Sequence, residues 1–140
     1  DTITLPAGQY TFSAYVRATT NVTGGNNPGA YLQVTGASGA ILAESERVTK
    51  KGAEYIRLTA PFQLDAAGIV RVHVMLDGKG DVNVQAAQLE NNPYASAYNL
   101  LRNSNFEHGI TEWSANSSTA VIVSTENCFN MSKAADLGQS

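Results

Sequence analysis

The chain is poor in cysteine, tryptophan, histidine and charge. One cysteine, Cys128, occurs in 140 residues, so no internal disulfide can form and no thiolate zinc site can be built. The two histidines, His73 and His108, lie far apart with no metal-ligand spacing between them. Charged residues make up 15% of the chain, below the usual quarter. The nine Lys and Arg are scattered and are outnumbered by twelve Asp and Glu, which argues against a phosphate-binding surface and a nucleic-acid partner. No apolar run approaches the ~20 residues of a membrane-spanning helix, so no membrane insertion is expected. No nucleophile elbow, phosphate loop or His-rich metal motif is present, and no carboxylate pair stands out as a glycosidase would need. The expectation is a protein that is not an enzyme.

What the chain has is alternation. In Gln9 to Ala18, Tyr10, Phe12, Ala14 and Val16 fall on one side, and Thr11, Ser13, Tyr15 and Arg17 on the other. A period of two is the mark of a half-buried strand. The pattern recurs in Ala30 to Thr35, in Tyr55 to Phe62, and in Ile69 to Leu76, where Val70, Val72, Val74 and Leu76 point inward. Thr2 to Leu5, Ala40 to Ser45, Val82 to Leu89 and Ala120 to Thr125 read as further strands. Between them stand Pro6-Ala7-Gly8, the loop Gly24-Gly25-Asn26-Asn27-Pro28-Gly29, the turn Gly36-Ala37-Ser38-Gly39 and the hairpin turn Asp77-Gly78-Lys79-Gly80-Asp81. Glu44 to Gly52 is polar and reads as a solvated connection, and the chain beyond Thr125 reads as irregular. Many short strands with no amphipathic helix predict an all-β, two-sheet sandwich or barrel.

Two segments resemble the carbohydrate-binding-like jelly rolls of the galactose-binding-like fold. Val82 to Glu90, VNVQAAQLE, is similar to their last strand, and Gln9 to Ala18, QYTFSAYVRA, to their central one. Leu100 to Trp113, LLRNSNFEHGITEW, resembles their opening: an Asn-rich turn, Phe-Glu-x-Gly, then Trp113. Such modules stand in tandem in bacterial YD-repeat (Rhs-like) surface proteins and in glycoside hydrolases. The resemblance implies an antiparallel jelly-roll β-sandwich. It implies an extracellular, bacterial cell-surface location, with neighbouring modules of the same polypeptide as partners. The closing strand precedes the opening motif. Residues 1–99 are therefore expected to be the end of one module, and residues 100–140 the opening of the next, folding back to complete the sandwich in permuted order. Asp1 starts directly at a strand-like segment, as a boundary inside a longer protein would.

Outward positions carry Tyr15, Arg17, Tyr31, Gln33, Tyr55, Arg57, Arg71 and His73. If their strands are neighbours, these side chains form one face of flat rings and forked donors, suited to a polysaccharide or surface glycan. The same residues also suit a solvated sheet face. The resemblance further implies a structural calcium between an opening Glu, matched by Glu107, and an Asp of the last strand. Gln85 stands at that Asp position, and a neutral amide is a poor ligand for a hard cation. The expected function is an adhesion or spacer module of a large surface or secreted protein, with carbohydrate binding as an open question. The alternatives are a dedicated carbohydrate-binding module of a glycoside hydrolase and a phage tail-fibre module.

Overall fold

The computed structural model describes residues 2–91, 121–124 and 134–139, the last two segments by their backbone. All described regular structure is β, and no helix long and apolar enough to cross a membrane occurs among these residues. Nine strands follow in order: β1 (Thr2–Leu5), β2 (Gly8–Ala18), β3 (Gly29–Gly36), β4 (Ile41–Glu44), β5 (Ile56–Leu64), β6 (Gly68–Asp77), β7 (Gly80–Glu90), β8 (Val121–Ser124) and β9 (Ala134–Gln139). They form two antiparallel sheets, one ordered β1-β6-β3-β4 and the other β5-β2-β7-β9-β8.

Alternation builds the core. Phe12, Ala14 and Val16 of β2, Leu58 and Ala60 of β5, and Val82, Val84, Ala87 and Leu89 of β7 are buried against Leu32 and Val34 of β3 and Val70 and Val72 of β6. One apolar cluster thus joins the two sheets, giving a β-sandwich-like architecture. Tyr10 stacks on Phe62 with ring centroids 5.5 Å apart. Its hydroxyl donates to the Pro6 carbonyl at 2.7 Å, so the polar end of a buried ring is satisfied.

β7 changes phase midway. Ser13 pairs with Gln88 but Tyr15 with Gln85, so one extra residue is looped out of the ladder. Ala86, with φ of 53°, adopts the left-handed conformation that such a bulge uses. The slip keeps Ala87 and Leu89 in the core and turns Gln88 and Glu90 to the outward side with Gln85.

The hairpin turn between β6 and β7 is held by its neighbours as well as by its glycines. Thr23 and Lys79 exchange backbone hydrogen bonds at 2.7 and 2.9 Å. A Cβ on Gly78 (φ 103°) would lie 2.5 Å from the Thr23 carbonyl oxygen, so glycine is needed there.

Two readings of the sequence are corrected. The segment Glu44 to Gly52 is not a purely solvated connection: Val48 is buried and exchanges backbone hydrogen bonds with Ala30 at 2.9 Å. The stretch beyond Thr125 is not wholly irregular, because β9 pairs along β7 from Gly80 to Val84. Ala134-Ala135-Asp136-Leu137-Gly138-Gln139 has little intrinsic strand preference; the open backbone of β7 supplies the pairing. The 99/100 boundary, Glu107, Trp113 and Cys128 lie outside the described residues.

Candidate functional site

The eight outward residues do not share one face, because their strands belong to different sheets. Tyr31 and Gln33 lie on β3, with Arg71 and His73 beside them on β6. Tyr15 and Arg17 lie on β2, Arg57 on β5, and Tyr55 one residue before β5. Strand order separates the two groups. A single strand's alternation fixes which way a residue points relative to its own sheet, not which sheet the strand joins.

On the four-stranded sheet the polar groups satisfy one another. Thr35 Oγ1 and His73 Nε2 are 2.9 Å apart, and Gln33 Nε2 donates to Glu44 Oε2 at 3.1 Å. Burial lowers the His73 pKa, and the positive charge of Arg71 pushes the same way. Tyr31 is only 8% exposed, and the Arg47 guanidinium sits 3.6 Å from its ring centroid. Arg47 Nη1 also donates to the Asn27 carbonyl at 2.8 Å, tying the glycine-rich loop to this ring.

The five-stranded sheet is different. Its outward side buries polar side chains: Thr11, Ser13, Asn83, Gln85 and Glu90. Register arranges them in rows, Arg57–Tyr15–Gln85, Thr59–Ser13–Gln88 and Pro61–Thr11–Glu90. A further row runs Arg17–Asn83 and, by backbone position, on to Asp136 of β9. Arg57 spans three strands. Its Nη2 reaches Ser13 Oγ at 3.2 Å and Gln88 Oε1 at 3.1 Å, and lies 3.8 Å from Glu90 Oε1. Its guanidinium also stands 5.6 Å from the Tyr15 ring centroid. Arg17 covers Tyr55 in the same way at 5.7 Å.

Four buried polar atoms here have no hydrogen-bond partner: Arg17 Nε, Asn83 Nδ2, and both carboxylate oxygens of Glu90. All belong to the outward side of the five-stranded sheet. Reading alternation as unbroken along β7 misses Gln88 and Glu90. The signal was present in VNVQAAQLE, where the apolar positions step from Val82 and Val84 to Ala87 and Leu89.

The calcium expectation finds no fit. Gln85 is a neutral amide, fully buried and already engaged by other groups. Among the described residues no three His, Cys, Asp or Glu side chains gather around one point. Comparisons with protein-family models, with curated proteins and with solved structures find no match to this chain.

Proposed function

We propose that this chain is a non-catalytic adhesion or spacer module of a larger bacterial surface or secreted protein, folded as a jelly-roll sandwich of the galactose-binding-like type. Its contact face is the outward side of β5, β2 and β7, and the ligand class is a saccharide. The observation that carries this reading is the set of unpartnered polar atoms on that face. An unsatisfied buried polar group costs about 1–3 kcal/mol, and a ligand that meets it recovers that cost. Tyr15 and Tyr55 add ring surface beside these atoms. The carboxylates also support a non-catalytic role: Glu90 and Glu44 belong to opposite sheets and cannot flank one glycosidic bond.

One observation favours a pure spacer. Arginines already cover the rings of Tyr15, Tyr31 and Tyr55, which leaves less ring face for a sugar. A polysaccharide affinity-gel and glycan-array screen separates the two. Adhesion predicts retention by at least one glycan, weakened by about 1–2 kcal/mol in Tyr15→Ala and unchanged in Tyr31→Ala on the opposite sheet. Wild type retained by no glycan leaves the spacer.

A further inference from the structure

We infer that Arg17 and Asn83 form a carboxylate-binding subsite, so that the ligand is acidic; in the saccharide reading, on which this rests, it is a uronate-bearing glycan. The two residues are direct register partners across β2 and β7. Their side chains leave the sheet on the same side, with Cβ atoms about 5 Å apart as in any such pair. Arg17 Nε and Asn83 Nδ2 are both donors, both buried and both unpartnered. Asn83 is only 4% exposed, so water does little to satisfy it. Two orphan donors side by side call for one acceptor between them.

Charge selects which acceptor. Arg57, the other arginine of this face, has Glu90 at 3.8 Å. Arg17 has no carboxylate within 4 Å among the described residues; its one contact is the Tyr55 ring. Of its three nitrogens only Nε is both buried and unpartnered, and the residue as a whole is half-buried. A planar oxyanion can therefore enter along the guanidinium edge and accept from Nε and a terminal nitrogen together, the bidentate geometry that arginine offers and lysine does not. The Asn83 amide then donates from the opposite strand. Tyr55 holds the guanidinium plane and offers ring surface to the rest of the ligand.

The test is titration of the full chain with oligogalacturonate, a neutral galacto-oligosaccharide of equal length, and acetate, following heat and the Arg17 Nε–H resonance. The expected result is uronate binding at least about tenfold tighter than neutral binding, weakening as salt rises. Arg17→Lys keeps the charge but loses that preference. Asn83→Asp sets a carboxylate opposite Arg17 and removes uronate binding with the fold retained, which separates a binding role from a structural one. Equal binding of uronate and neutral sugar overturns the subsite and leaves the saccharide face standing. An acetate-induced shift of the Nε–H resonance with no saccharide bound keeps the subsite and overturns the saccharide reading. No shift with any of the three ligands overturns the subsite.

Discussion

At the scale of single residues, two side chains concentrate the electrostatics. Glu90 is fully buried, and the nearest charge to it is Arg57, whose side chain is 32% exposed. Removing one partner of such a pair costs more than removing both, because it strands a desolvated charge. Arg57→Ala is expected to destabilise the fold by about 1–3 kcal/mol. Glu90→Gln, which deletes the stranded charge, is expected to return much of that loss in the double variant. Denaturant melts of the four proteins measure the coupling, and strict additivity would contradict the pairing. His73 gives a pH signature. Its folded pKa lies below 6.5, so the unfolded chain takes up a proton first as pH falls. The stability it supports is full above pH 6.5 and declines as pH drops through the lowered folded value. His73→Asn should flatten that decline in thermal midpoints measured between pH 7 and 5. An unchanged slope would place the acid sensitivity elsewhere.

At the scale of elements, the deciding feature is the bulge in β7. Without it, Leu89 would face outward and Glu90 inward, and both would be misplaced. Ala86 supports it from a left-handed conformation that costs a residue with a Cβ about 1–2 kcal/mol. Ala86→Gly is therefore expected to hold or raise stability by up to about 1 kcal/mol, and Ala86→Val to lower it. Chemical denaturation ranks the three, and a Val variant as stable as wild type would mean that the bulge is not where the strand slips. The bulge was legible in the spacing of apolar residues along β7. Its geometry was not, because spacing shows that a residue is extra without showing which one leaves the ladder.

At the scale of the whole molecule, stability depends on which edges are closed. β9 closes β7 from Gly80 to Val84, and β8 lies beyond it. Ending the chain at residue 133 leaves that stretch of β7 unpaired, and an open edge promotes both loosening and self-association. The expected outcome is a lower thermal midpoint together with concentration-dependent oligomers in light scattering. A monomer with an unchanged midpoint would show that β9 contributes nothing to the sandwich. The opposite edge, β5, carries Pro61, which cannot donate to an incoming strand and so discourages pairing there.

The sequence alone determined the class of this protein and the inward residues of its main strands. A two-residue repeat in Gln9 to Ala18 or Ile69 to Leu76 permits only one side to be buried, and local sterics enforce it. The sequence could not assign strands to sheets. That assignment sent Tyr31, Gln33, Arg71 and His73 to one surface and Tyr15, Arg17, Tyr55 and Arg57 to another. Pairing across tens of residues is decided by the total apolar area two sheets bury together, a property of the assembled core rather than of any segment. The same assembly set Asn83 opposite Arg17 and left both donors without a partner.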